Sequence, residues 1–285
     1  MKDIQGDGPA LVLVPGIQGR WEYVRPAVEA LATYFRVLTF SLGARGSLDS
    51  LDVLDREAER IVAALDERRI DKAIVCGISF GGLVAIRFAA SHPARTAALV
   101  LAAAPGPSWS LRRRHQVYAQ WPRLLGPLFF VETLLCLRSE LAAALPLRAD
   151  WWKFARRQLA TLASVPISLS QTAERARLLP APGLVADCQR VSAPTLVVTG
   201  EPALDHIVPV ESTAVYATLI RGARLFVLEH TGHVGTITHP SAFAAAVNEF
   251  ARNVPDVASA RRQARGVPSS PGDGFSRTVS RSEVA

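Results

Sequence analysis

The chain has 285 residues, 49% of them hydrophobic and 20% charged, with a formal net charge of +7. That length and apolar content support one large core or a domain carrying an insertion, and exclude a disordered or fibrous composition. The positive charge is dispersed: Arg112-Arg113-Arg114 is a tight cluster, Arg252, Arg261, Arg262, Arg265, Arg277 and Arg281 lie toward the C-terminus, and no basic stripe is interleaved with aromatics, so no nucleic acid is expected as a partner.

In chain order, Met1 to Gly8 lack the basic start, apolar stretch and small-residue cleavage site of a secretory leader. Short apolar runs at Ala10 to Val14, Arg36 to Phe40, Ala73 to Cys76 and Ala97 to Ala102 predict strands. Amphipathic stretches at Tyr23 to Thr33, Val53 to Arg68 and Gly81 to Ala90 predict helices between them. The alternation lapses between Pro105 and Arg190, where a Leu-, Ala-, Arg- and Trp-rich stretch punctuated by prolines predicts several helices and no strand. Its most apolar part, Leu124 to Leu147, is broken by Pro127, Glu132, Arg138 and Glu140, so no membrane span is expected. Strands then return at Thr195 to Thr199 and Arg224 to Leu228, with helices at Ser212 to Ile220 and Ser241 to Asn253.

Such alternation predicts an α/β fold: a mostly parallel sheet of about six strands with helices on both faces and a helical cap insertion. Right-handed crossovers then put the strand carboxyl ends along one edge, where open α/β sheets build their sites. The expected division is a core over residues 1–104 and 191–253, a cap over 105–190, and a disordered tail over 254–285, where large apolar residues become scarce. Cys76, Cys136 and Cys188 are odd in number and irregularly spaced, which argues against disulfides or a zinc site and predicts reduced thiols in a cytoplasm.

The most informative stretch is Ile74-Val75-Cys76-Gly77-Ile78-Ser79-Phe80-Gly81-Gly82, a buried strand that ends in Gly-x-Ser-x-Gly and opens into a helix. Chance supplies that pattern to a chain of this length about one time in ten, so its context decides. A sharp strand-to-helix reversal forces the central residue into an unfavourable backbone conformation, and side chains two residues either side would collide. Gly77 and Gly81 remove them, leaving the Ser79 hydroxyl exposed at a helix N-terminus that favours a developing oxyanion.

With these residues, Leu11-Val12-Leu13-Val14-Pro15-Gly16-Ile17-Gln18-Gly19, Thr199-Gly200 followed by Asp205-His206-Ile207-Val208-Pro209, and Thr231-Gly232-His233, the chain resembles the α/β-hydrolase family from about Ala10 to Arg252. The resemblance implies a serine hydrolase acting on a small or medium carboxylic ester or related acyl compound, with no cofactor or metal. Its triad order, nucleophile, acid, then base, is matched by Ser79, Asp205 and His233. His230 competes with His233 and Glu201 with Asp205, because Ala203 stands where relatives usually place the acid. The implied oxyanion hole is the backbone N–H of Phe80 with that of Ile17.

Pro15 replaces the histidine that often organises the oxyanion loop, a role left to Gln18 or Trp21. The first strand comes so early that the antiparallel hairpin opening this fold is expected to be absent or trimmed. Ser41-Leu42-Gly43-Ala44-Arg45-Gly46 stands in place of an Asp-x-Arg-Gly turn. Within the cap, Trp109, Trp121, Phe130, Trp151 and Trp152 are candidates for an apolar substrate pocket, with the cap's own core as the competing role. Arg112, Arg113 and Arg114 are either a solvated helix face or an attraction for an anionic substrate. A carbon–carbon bond hydrolase or lyase, or a non-catalytic ligand-binding homologue, are the alternatives on the same scaffold.

Overall fold

The computed structural model describes residues 2–4, 6, 8–43, 50–181 and 183–264. The Ala44-Arg45-Gly46 part of the turn noted above and residues 265–285 of the expected tail lie outside them.

The chain runs β1 (Lys2–Ile4), β2 (Ala10–Val14), α1 (Arg25–Leu31), β3 (Arg36–Thr39), α2 (Ser50–Glu67), β4 (Ala73–Ile78), α3 (Phe80–Ser91) and β5 (Thr96–Ala102). Between β5 and the next strand lie α4 (Arg113–Gln120), α5 (Pro122–Ala144), α6 (Arg148–Ser164), α7 (Leu169–Arg177) and α8 (Leu184–Arg190), with no strand among these described residues. It then continues through β6 (Thr195–Thr199), α9 (Val210–Ala214), α10 (Tyr216–Leu219), β7 (Arg224–Val227), α11 (Gly235–Thr238), α12 (Pro240–Arg252) and α13 (Pro255–Ala264).

The strands form one seven-stranded sheet in the order β1-β3-β2-β4-β5-β6-β7. All of β2 to β7 run parallel, and β1 pairs antiparallel with β3 at the edge, Lys2 opposite Thr39 and Ile4 opposite Val37. The opening hairpin is therefore trimmed to a short antiparallel edge strand rather than lost.

Both faces of the sheet are covered. In β2, Leu11 and Leu13 join the core beneath α1 and α12, while Val12 and Val14 join the core beneath α2, α3 and α8. Side chains alternate across a strand, so two covered faces require the unbroken apolar runs seen in β2, β4 and β5. By contrast β7, the last strand, is exposed along its length, with Leu225, Phe226 and Val227 open to solvent.

Central helix α3 is buried from Phe80 to Ala90, and its Arg87 is buried with it. Arg87 Nε donates to Asp187 of α8 at 2.8 Å, and its Nη1 donates to Asp55 of α2 at 2.8 Å. This ion pair anchors the end of the inserted helices to the core.

The expected disorder from residue 254 meets a helix instead. Val254 and Val257 are buried in the α1/α12-face core, and Lys72 Nζ donates to Asp256 at 2.8 Å. Pro255 opens α13 at the first helical position, where its missing N–H costs nothing. Val254 just before the helix and Val257 in its first turn supply apolar docking, and Arg261 adds a hydrogen bond to Asn248 Oδ1 at 2.6 Å.

These two ion pairs predict unequal stability losses. Asp187→Ala leaves a buried guanidinium without its principal partner and is expected to cost about 3 kcal/mol. Asp256→Ala, at a pair about half exposed on both sides, is expected to cost less than about 1 kcal/mol. Urea unfolding of the two variants checks the contrast.

Candidate active site

Ser79 sits between β4 and α3 with φ 51 and ψ −123, one of the few non-glycine residues with positive φ. Its N–H donates to the Ala102 carbonyl at 2.8 Å, and its carbonyl accepts from Gly82 N–H at 2.8 Å, so the ladder and the helix both continue into the turn. A Cβ on Gly77 would lie 2.3 Å from the Gly81 carbonyl oxygen, and one on Gly81 would lie 2.3 Å from that of Val14. The collisions expected from the sequence are therefore real, although Gly81 also makes room for the chain leaving β2.

The acid and base arrive on two loops that interlock behind the serine. The loop after β6 carries Asp205, and the loop after β7 carries His233. Glu201 N–H donates to the Thr231 carbonyl at 2.7 Å, and Gly200 and Gly232 meet almost backbone to backbone, a Cβ on Gly200 lying 2.6 Å from Cα of Gly232.

His233 Nε2 lies 3.1 Å from Ser79 Oγ, and His233 Nδ1 lies 3.3 Å from Asp205 Oδ2. The other carboxylate oxygen of Asp205, Oδ1, accepts from the N–H groups of Ile207 at 3.0 Å and Val208 at 2.9 Å. Those two bonds explain why Asp205 keeps its Ile-Val-Pro sequel, since the carboxylate needs the turn that follows it.

The rivals are occupied elsewhere. Glu201 Oε1 accepts from the backbone N–H of His230 at 2.7 Å, and the His230 ring is largely exposed. They form a surface turn beside the Ser79–His233–Asp205 line.

Burial alone lowers the His233 pKa, but the charge of Asp205, its hydrogen bond and the charge of Glu140 outweigh that effect and leave it raised above 6.5. The surroundings thus favour the cation that His233 becomes on taking a proton.

The loop after β2 passes directly against the serine: a Cβ on Gly16 would lie 3.4 Å from Cβ of Ser79. Arg175 of α7 reaches into this loop, its Nη1 donating to the Ile17 carbonyl at 3.0 Å and its Nη2 donating to the carbonyls of Leu42 and Gly43 at 3.3 and 3.2 Å. Arg175 is buried, and a Cβ on Gly19 would strike its guanidinium. Loop support expected from Gln18 or Trp21 thus comes from the inserted helices, while Trp21 packs in the α1-face core and Gln18 is exposed. Nothing in the spacing of Arg175 separates it from the other arginines of that stretch.

A second contact from the inserted helices is Glu140 of α5, fully buried, whose Oε1 accepts from Val234 N–H at 2.8 Å. Its sequence signal was its position as an acidic residue inside an apolar run.

Four of the five candidate pocket aromatics are exposed and the fifth is partly buried. Trp121 is 62% exposed, Trp152 61%, Trp151 41% and Phe130 39%, and Trp109 is partly buried beside Gly106. Trp151 and Trp152 pack edge to face on each other, Trp121 stands at the N-cap of α5, and Leu124, Leu128, Val131 and Leu135 form an exposed apolar stripe along that helix. Composition signals aromatic content in a helix but not the direction of each ring. Arg114 pairs with Glu132 of α5, so that part of the arginine cluster holds helices together.

A family model described as the alpha/beta hydrolase family matches residues 11–246. A pimeloyl-acyl-carrier-protein methyl ester esterase of Nitrosomonas europaea is 31% identical over 252 residues, covering 84% of this chain and 94% of the relative. A 2-hydroxymuconate semialdehyde hydrolase of a Pseudomonas species is 28% identical over 268 residues, covering 87% and 84% respectively. Among solved structures, an enol-lactonase from Burkholderia xenovorans superposes with a TM-score of 0.66 at 22% identity over 86% of this chain and 92% of that one, a likeness of fold.

The electrostatics predict that the His233 ring titrates above 6.5 and that Asp205→Asn lowers it, because burial then acts with less opposition. A ¹³C NMR titration of the imidazole checks this, and an unmoved His233 in the variant refutes it.

Proposed function

The chain belongs to the alpha/beta hydrolase family, and from that premise we propose that it is a serine hydrolase cleaving small or medium carboxylic esters or related acyl compounds. The observation that carries this reading is the unbroken line of contacts from Ser79 Oγ through both ring nitrogens of His233 to Asp205. Relatives named as an ester esterase, an enol-lactonase and a carbamate hydrolase support it.

In the proposed mechanism, Ser79 Oγ attacks the substrate carbonyl while His233 Nε2 takes its proton. Asp205 holds the imidazole in the tautomer that presents a lone pair to the serine and stabilises the cation that forms. The oxyanion rests on the N–H groups of Ile17 and Phe80, neither of which donates to a backbone carbonyl among the described residues. Collapse of the tetrahedral species expels the alcohol, which leaves with the proton from His233. Water then attacks the acyl-enzyme by the same route, and the acid departs as Ser79 regains its proton.

Residues 105–190 act in this reading as a cap over the serine that selects the substrate. Arg175 on the Ile17 loop and Glu140 on the His233 loop support it, since both sides of the site are touched from this segment. Among the described residues no helix is long and apolar enough to cross a membrane. In this reading the setting is cytoplasmic, on the odd number and irregular spacing of Cys76, Cys136 and Cys188.

A second reading, hydrolysis of a carbon–carbon bond through the same residues, is favoured by the likeness to the 2-hydroxymuconate semialdehyde hydrolase. Product analysis separates the two.

The protein is expected to react with a fluorophosphonate probe and to hydrolyse p-nitrophenyl acetate, and Ser79→Ala is expected to abolish both. His233→Ala and Asp205→Asn should lower kcat by about 10³- to 10⁴-fold, whereas Glu201→Gln and His230→Ala should stay near wild type. Absence of labelling and turnover in the folded wild type rejects the proposal; inactivation by Glu201→Gln with Asp205→Asn active rejects the acid assignment.

A further inference from the structure

Glu140 is the buried charge that neither the triad nor the core accounts for. It is 0% exposed in α5, and its carboxylate meets the N–H groups of Gly232 and Val234, the residues immediately before and after His233. Its second oxygen, Oε2, is buried with no hydrogen-bond partner. Burying a carboxylate with one oxygen unpaired is costly, and a loop brace alone does not need it, because a neutral amide oxygen accepts the same N–H bonds.

We propose that Glu140 is a positioning residue for His233: reaching in from the inserted helix α5, it fixes the backbone on both sides of the base and places a second carboxylate beside the imidazole. This rests on the reading of His233 as the general base.

The charged surroundings leave these two groups facing each other. Helices α4, α7 and α11 pack on α5. From α4, Arg114 and His115 are engaged with Glu132, and Arg113 is exposed. From α7, Arg175 is spent on the Ile17 loop, Arg177 donates to the Ala119 carbonyl, and Glu174 is exposed. Helix α11, Gly235–Thr238, carries no titratable residue. The ionisable groups acting on Glu140 are His233, which favours its charge, and Asp205, which opposes it.

Burial pushes the Glu140 carboxyl up to about 7, against the pull of the Gly232 and Val234 N–H groups and of His233. Above that pH the ionised carboxylate supports the imidazolium that forms as Ser79 attacks. Protonating Glu140 removes a charge that raises the His233 pKa, and protonating His233 favours the ionised carboxylate. Base and carboxylate thereby titrate as a pair.

The test compares wild type with Glu140→Gln, which retains an acceptor for Val234 N–H but cannot ionise, and with Glu140→Asp. Steady-state kinetics on p-nitrophenyl acetate from pH 5 to 9 are combined with a ¹³C NMR titration of the His233 ring. The expected result for Glu140→Gln is KM within about twofold of wild type, kcat at pH 8 lower by about fivefold, and a lower His233 pKa, with Glu140→Asp recovering part of both effects. Identical His233 titration curves in wild type and Glu140→Gln overturn the proposal. The wild type alone also decides it, since the His233 signal must carry a second inflection from Glu140 and a single-site curve refutes the pairing. Loss of all turnover in the wild type overturns the hydrolase reading, and the NMR titration still judges this one.

Discussion

The left-handed backbone of Ser79 is the constraint on which the rest of the site depends. A non-glycine residue at φ 51 and ψ −123 is held there against a cost of about 1–3 kcal/mol, so its surroundings must over-determine it. They do so from three sides: β4 is buried along its length at the centre of the sheet, α3 is buried on every face, and the chain leaving β2 passes within contact distance of Gly81. Little can relax without moving the sheet or the helix. What the strain secures is a hydroxyl lifted clear of the strand edge at the first turn of a helix, within 3.1 Å of His233 Nε2.

Partners for that hydroxyl come from segments far apart in sequence, and their relative placement depends on glycine contacts more than on side-chain packing. Gly200 and Gly232 let the loops after β6 and β7 lie backbone on backbone, which carries Asp205 and His233 into line. The inserted helices then grip two loops by polar contacts, Arg175 on the carbonyl of Ile17 and Glu140 on the N–H of Val234. A shift of α5 or α7 therefore has a direct route to the base or to the Ile17 loop. The anchor of α8 through Asp187 to Arg87 ties the end of the same segment to the helix that begins at Ser79.

Sequence reasoning reached the parts of this arrangement that local chemistry encodes. Both-face burial makes a strand an uninterrupted apolar run, so the buried parallel strands β2 to β6 are legible in the sequence, and the Gly-x-Ser-x-Gly turn carries its own steric explanation. Strand β1 is not legible in the sequence, because three residues are too few to show a period. Helix α13 rests on Val254 and Val257 amid residues whose composition reads as tail. Arg175 escaped because its role is defined by carbonyls at Ile17, Leu42 and Gly43, remote in sequence. The exposure of Trp121, Phe130, Trp151 and Trp152 is set by how the inserted helices pack, which aromatic content in the sequence does not carry.

The same distinction between local and remote information explains the two carboxylates around one imidazole. Asp205 receives two backbone N–H bonds from the turn it initiates, so its charge is stabilised by residues within three positions of itself. Glu140 receives its N–H bonds from the loop of a different segment and keeps one oxygen without a donor, so its charge depends on how closely α5 sits against that loop. A carboxylate solvated across an interface changes its proton affinity whenever the interface loosens or tightens. In the proposed pairing, the position of α5 is thereby coupled to the basicity of His233.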